Sequence, residues 1–366
     1  MRIVVIGGGI VGASIAYHLA CKRAEVIVVE RGDAGRATSA GAGIICPWLD
    51  RENSQAFYEL AYRSAAYYDD LIPALAEEGE TELGFRRTGA MLLAIDSDAL
   101  AGPEALVRAR AEAAPQVGQI SRLDPAQAQD LFPALDKQFS ALHIAGGARL
   151  NGRLLAGALE RVSVRRGAIW RRGDANLVVE RGRATGVTVD GETLAADAVV
   201  VAAGSWAPEL LERFGITLPV KPQRGQIVHL RLPGVDTTSW PVLHPADADS
   251  YLVTFDDSRV VVGATRETGS GFDYRVTAGG IHDVIREALR VAPGLAAATL
   301  VETRVGFRPV SATSNPLLGP APGIAGLFIG NGMGANGLTL APYSASLLAS
   351  QVLGEPASPL LAAFHL

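Results

Sequence analysis

Residues 2–30 read RIVVIGGGIVGASIAYHLACKRAEVIVVE. Arg2–Ile6 is a short β-branched run of the kind a buried parallel strand requires. Ala13–Lys22 predicts a helix, with Ile15 and Leu19 at i, i+4. Glu25–Glu30 is a second buried strand that ends in an acid. Gly7, Gly9 and Gly12 lie between strand and helix at G-x-G-x-x-G spacing. In such a unit the first glycine permits a tight turn, the second lets backbone approach a pyrophosphate, and the third lets helix and strand pack closely. The helix N-terminus then offers free N–H groups and the positive end of its dipole to the phosphates. Glu30 is placed to take ribose hydroxyls, so the segment predicts dinucleotide binding. A basic residue, an apolar run and small residues before Cys21 also imitate a secretory leader. The glycines interrupt that run and a strand follows it, so the segment is read as folded structure.

Outward from this unit, Arg36–Gly43 (RATSAGAG) is small and polar, suited to cover more of a pyrophosphate. Ala196–Gly204 (ADAVVVAAG) predicts a buried strand returning to the same sheet. Leu327–Leu338 (LFIGNGMGANGL) reads as a strand and a glycine-rich turn, followed by a helix over 337–352. The middle differs. A strand or hairpin is expected at 84–96, and strands at 226–232, 250–254 and 259–264. Helices are expected at 104–112, 125–131 and 277–289, and an ordered loop at 311–326. The fold class is therefore α/β: a Rossmann-like domain (1–83, 141–218, 302–366) interleaved with a smaller α+β substrate domain (84–140, 219–301) on an antiparallel sheet. Two domains also suit 366 residues, since a single core stops growing near about 250–300.

Composition removes other classes. With 33 Lys+Arg against 38 Asp+Glu, the net charge of −5 argues against a nucleic-acid partner. Two cysteines, Cys21 and Cys46, cannot build a disulfide framework. The six histidines lack H-x-x-x-H or H-x-H spacing, so no metal site is expected. Neither the phosphate-binding G-x-x-x-x-G-K-[ST] nor the hydrolase G-x-S-x-G is present. No long uncharged apolar run is present, so stable membrane insertion is not expected and a cytoplasmic location is.

The segments IGGGIVGASIAYHLA (6–20), TSAGAG (38–43), VVVAAGSWAPEL (199–210), PVKPQRGQIVHL (219–230), YLVTFDDSRVVVGAT (251–265), VGFRPVSATSNPLLG (305–319) and GNGMGANGLTLAP (330–342) occur in an informative order. Together they make the chain resemble the D-amino-acid oxidase family of FAD-dependent amine oxidoreductases, its glycine oxidase-like members above all. The resemblance implies FAD held by Gly7, Gly9, Ile10, Val11, Gly12, Glu30 and Arg31, then by Thr38, Ser39, Ala40 and Gly43. It adds Ala203, Gly204 and Trp206 from the returning strand. Around the last turn it adds Gly332, Gly334, Asn336, Gly337, Leu338 and Thr339, where backbone N–H groups would face the flavin edge that gathers negative charge. Some relatives attach flavin through a cysteine after G-x-R-P. Here that loop is SATSNPLLG, so noncovalent FAD is expected.

In the family, the residue matching Arg308 holds the substrate carboxylate through a guanidinium fork, and Tyr251 matches a tyrosine lining the amino-acid site. The reaction implied is oxidation of the C–N bond of an amino acid or related amine. Hydride passes from the α-carbon to flavin N5, and the imine hydrolyses afterwards. Oxygen or another acceptor reoxidises the flavin. A 2-hydroxy acid dehydrogenase and a flavoprotein subunit of a larger amine dehydrogenase are the alternatives, and a homo-oligomer is compatible with either. Two positions depart from glycine oxidase-like members: Ala335 stands where an arginine is common, and Arg266 where some relatives are apolar. The expectation is a substrate bulkier than glycine, with a second polar or anionic group near Arg266. His244 is read as a loop residue and Cys46 as a small core filler.

Overall fold

The computed structural model describes residues 1–50 and 54–366. The strand Arg2–Ile6 forms the middle of a six-stranded sheet. Its order is Leu317–Pro320, Leu327–Asn331, Ala198–Val201, Arg2–Ile6, Glu25–Glu30, Ile169–Arg172. All neighbours are parallel except the edge pair Leu317–Pro320 and Leu327–Asn331. Each strand is a near-continuous apolar run because both faces are covered. Ile3, Val5, Val26 and Val28 point to one face and meet Ile15, Leu19 and Leu348 from helices Ile10–Cys21 and Gly337–Val352. The alternate residues Val4, Ile6, Ile27 and Val29 meet Leu177, Val187 and Val189 from a three-stranded meander on the other face.

The first helix begins at Ile10, a turn earlier than its apolar spacing suggests, because Gly9 caps it in extended geometry. At Gly12 a Cβ would sit 1.8 Å from the Gly7 carbonyl oxygen, so only glycine lets this helix dock on the turn. The apolar side chains of two further helices, Gln55–Glu77 and Gly152–Arg165, complete the covering layer; the sequence reading passed over both.

Strands 84–301 contribute most of a nine-stranded, largely antiparallel sheet. Its axis is Val220–Arg231, paired on one side with Arg259–Gly263 and Glu267–Thr268 and on the other with Thr299–Ser311 along its whole length. Tyr251–Thr254, Val242–Pro245, Ala90–Ala94, Ser140–Ile144 and Ile120–Leu123 follow. One neighbouring pair, Val242–Pro245 with Ala90–Ala94, is parallel. Helix Ala278–Val291 covers the outer face through Val284 and Ala288, packed in one cluster with Val228, Leu230 and Val262. The sheet takes in Ser140–Ile144 and Thr299–Ser311, so its strands cross the boundaries drawn at 140/141 and 301/302.

The strand or hairpin expected at 84–96 is met by strands rather than a hairpin: Arg86–Arg87 joins a small sheet with Ala148–Arg149 and Ile44–Ile45, while Ala90–Ala94 enters the large one. Two local expectations change. The loop at 311–326 contains the strand Leu317–Pro320. His244 lies in the strand Val242–Pro245 rather than in a loop. No helix among the described residues is long and apolar enough to cross a membrane.

Candidate active site

The two sheets enclose a cavity of about 1060 Å³ that runs from the first glycine turn to the inner face of the antiparallel sheet. At one end lie Gly7, Gly9, Ile10, Val11, Glu30 and Arg31. The Glu30 carboxylate accepts from the amides of Gly8 and Gly32, which fixes it at the strand end beside the turn. Arg31 faces outward and pairs with Asp33 at 2.8 Å and Asp174 at 3.3 Å. Thr38 Oγ1 accepts from the Ile10 amide at 2.9 Å, tying the second small-residue loop to the helix N-terminus. Ala40, Gly43, Ala203, Gly204 and Trp206 also line the cavity, and Trp206 stacks on Phe272 with centroids 5.0 Å apart.

Two sequence-derived site residues are not on the wall. Gly12 acts from behind, through the close contact with Gly7. Ser39 turns its carbonyl away from the cavity, where Arg153 Nε donates to it at 2.9 Å.

The last glycine turn forms the wall near the middle, with Gly332, Gly334, Ala335, Asn336, Gly337, Leu338 and Thr339 lining it. Asn331, which the sequence reading missed, holds the turn. It is buried, accepts from the Gly332 amide at 2.7 Å, and donates to the Gly204 carbonyl at 2.9 Å. The only signal for it was an amide side chain closing an otherwise apolar strand. Helix Gly337–Val352 starts at this turn with no acidic residue in its first turn, so its N-terminal N–H groups and dipole face the cavity uncompensated.

Arg308, Tyr251 and Arg266 come together at the other end. Arg308 extends from the strand Thr299–Ser311, and its Nη1 donates to the Thr265 carbonyl at 3.0 Å and to Gln223 Oε1 at 3.4 Å. Burial lowers its pKa, opposed by Tyr251. It forms no ion pair with a carboxylate among the described residues. Tyr251 lies against the backbone of Gly263, where a Cβ would be 2.7 Å from its hydroxyl, and burial raises its pKa, so it is a phenol and a donor at neutral pH. The Leu243–Leu252 pairing sets His244 across from Tyr251, and burial pushes this imidazole down to about 4. Arg266 stands nearer the mouth, 45% exposed, with Nε 3.1 Å from Asp249 Oδ2. Its neighbour Glu267 is engaged elsewhere, by Arg224 and Gln226. Cys46 lines the wall, its thiol pushed up to about 12 by burial, which makes it an inert filler there.

These donors suit an elongated dinucleotide better than a mononucleotide: a glycine turn with an acid at one end, a second helix N-terminus further along, and an anion-seeking arginine beyond. No group of three or more metal-ligating side chains occurs among the described residues.

Comparison with known proteins agrees with this geometry. The model of the FAD dependent oxidoreductase family matches residues 2–351. The uncharacterized oxidoreductase YurR of Bacillus subtilis is 46% identical over 96% of this chain and 95% of its own length. A glycine oxidase of Pseudomonas putida is 34% identical over 97% of this chain and 95% of its own. The crystal structure of iminodiacetate oxidase from Chelativorans sp. BNC1 superposes with a TM-score of 0.97. It is 49% identical and covers 100% of this chain and 98% of that one.

Proposed function

The chain belongs to the family of FAD-dependent oxidoreductases, and on that premise we propose that it oxidises the C–N bond of a carboxylate-bearing amine, with N-substituted glycines such as iminodiacetate as its preferred class. One observation carries the reading. Arg308 is drawn far enough from water for burial to lower its pKa, yet it meets no protein carboxylate among the described residues. A charge so placed is costly unless paired, and a substrate carboxylate is the partner this cavity can admit. The 49% identity to an enzyme named for iminodiacetate supports the choice of amine.

The residues present fit FAD: Glu30 would hold the ribose, the Gly7–Gly12 turn and Thr38 loop the pyrophosphate, and the Gly332–Gly337 turn would support the flavin. When bound, FAD supplies the hydride acceptor, at N5, for the hydrogen on the carbon between nitrogen and carboxylate. Arg308 would fork onto that carboxylate and so set how the neighbouring carbon is presented. Tyr251, held neutral by burial, donates one hydrogen bond to the carboxylate or amine. Arg266 waits at the mouth for a second anionic group. No protein base has to take the nitrogen proton if the amine enters uncharged. The imine released adds water and splits into an amine and a 2-oxo acid. Because the loop after Arg308 has no cysteine, the FAD is dissociable.

The test is anaerobic mixing of the yellow holoenzyme with iminodiacetate, sarcosine, glycine and lactate in turn. Loss of flavin absorbance with the N-substituted glycines supports the reading. Bleaching by lactate alone, or by none of the amines, refutes it. Oxygen uptake in the same preparation then reports the acceptor.

A further inference from the structure

Arg308 and Gln223 face each other across the two long strands, and Gly225 and Gly306 are the next such pair. Arg308 does not extend straight into the cavity from its own strand. It leans across onto the neighbouring strand and lies over Gly225. A Cβ built at Gly225 would be 2.7 Å from Nη1, 2.7 Å from Nη2 and 2.8 Å from Cζ of Arg308. Carbon contacts are comfortable only near about 3.5–4.0 Å, so a methyl group and this guanidinium cannot share the space. Gly225 has no left-handed φ, so its backbone would accept alanine. Its missing side chain therefore serves space alone.

The strand around it cannot step back. Gly225 lies between two buried polar anchors on the opposite face. Arg224 is bound to Glu267 and to the Asp273 carbonyl at 3.1 Å. Gln226 is bound to Glu267 at 2.7 Å and to Thr277 at 2.8 Å. With the backbone tied on its far side, the yielding part would be the guanidinium.

We propose that Gly225 is a positioning residue for the reaction: its vacant face is the seat that holds the Arg308 fork at the depth and angle at which it meets the substrate carboxylate. The inference rests on the proposed role of Arg308 in carboxylate binding. A methyl at Gly225 would lift the fork by about 1 Å, the gap between 2.7 Å and ordinary carbon contact. Misplacement on that scale costs up to about a hundredfold in rate.

The experiment uses four FAD-loaded proteins: wild type, Gly225→Ala, Arg308→Ala and the double variant. Diglycolate, the ether analogue of iminodiacetate that has no oxidisable nitrogen, is titrated against the flavin spectrum, and kcat/KM for iminodiacetate is measured alongside. Gly225→Ala should weaken diglycolate at least about tenfold and lower kcat/KM by ten- to a hundredfold, with FAD retained. In the Arg308→Ala background, where no guanidinium remains to displace, adding Gly225→Ala should change both by less than about twofold, the signature of a shared partner. Equal losses in both backgrounds, or a Gly225→Ala enzyme within twofold of wild type while Arg308→Ala is impaired, overturns the seat. An Arg308→Ala enzyme that binds diglycolate normally overturns the anchoring reading instead. If Gly225→Ala does not fold, recovery of a soluble yellow protein on adding Arg308→Ala supports the steric conflict, and failure of both refutes it.

Discussion

Removing the Arg266 side chain should change which amines the enzyme prefers, and the size of the change follows from the pair Arg266 makes. Its Nε stands 3.1 Å from Asp249, and the two side chains are 45% and 79% exposed. Exposed pairs of this kind are worth about 0.2–1 kcal/mol, so Asp249 is easily displaced. A charge-assisted bond from Arg266 to a second substrate carboxylate is worth about 1.5–3 kcal/mol. Subtracting the displaced pair, and taking the lower part of the range because the mouth is wet, leaves about 1–2 kcal/mol. At about 1.4 kcal/mol per decade, that is roughly five- to thirtyfold. Arg266→Ala should therefore lower kcat/KM for iminodiacetate by about that factor, and by at least about threefold more than for sarcosine, which has one carboxylate. Asp249→Asn removes the competitor and should raise kcat/KM for iminodiacetate by up to about fivefold. Both effects should shrink at high salt, which screens exposed charges. The assay is steady-state turnover of both amines at two ionic strengths. Equal losses for the two amines in Arg266→Ala, or no loss for either, would refute a second-carboxylate site.

Two further outcomes follow from residues away from the substrate. Glu30→Gln keeps the shape but removes the charge that would meet the ribose, and should weaken FAD by about 1.5–3 kcal/mol, seen as a rise in the FAD dissociation constant by fluorescence titration; unchanged affinity would remove Glu30 from the site. His18 is buried, its Nε2 lies 3.0 Å from the Pro342 carbonyl, and burial lowers its pKa to about 4. Only the unfolded chain protonates this imidazole between about 6.5 and 4, so stability is full above about 6.5 and falls on acidification. The loss reaches about 3 kcal/mol from this residue at about 1.4 kcal/mol per pH unit. The slope of denaturant midpoint against pH across that range should shrink in His18→Gln by one histidine's share, with His244 and His229, also lowered by burial, supplying part of the remainder; a slope unchanged by the substitution would count against the assignment.

The cofactor half of the fold was legible because its signals are local. The strands Arg2–Ile6 and Glu25–Glu30 and the helix start at Gly337 were readable from unbroken β-branched runs and glycine position alone. Helices Gln55–Glu77 and Gly152–Arg165 were missed. The first mixes charge and tyrosine through its length and contains Pro73, and the second is amphipathic with basic residues between its apolar ones. In each case packing against the sheet layer decides what propensity leaves open. Arg308, Tyr251 and Arg266 were found by family likeness. The residues that set their geometry, Gly225, Gly263 and Asp249, are an absent side chain twice over and an exposed acid. Nothing in a linear sequence distinguishes these from ordinary strand glycines and surface charge, because their meaning lies in what a neighbouring strand lays on top of them.

The strand order of the parallel sheet also bears on how the protein is made. Arg2–Ile6 finds one neighbour in Ala198–Val201, which in turn pairs with Leu327–Asn331, far later in the sequence. The first helix packs against Gly337–Val352. At about 5–20 residues per second, the Gly7–Gly12 turn therefore exists for tens of seconds before its sheet can close. Premature termination anywhere before about residue 350 would leave an apolar strand edge and an uncovered helix face together. Such truncated products should be cleared or aggregate rather than persist as partly active protein. Capture of the flavin nucleotide should therefore wait until Leu327–Asn331 and Gly337–Val352 have joined the sheet.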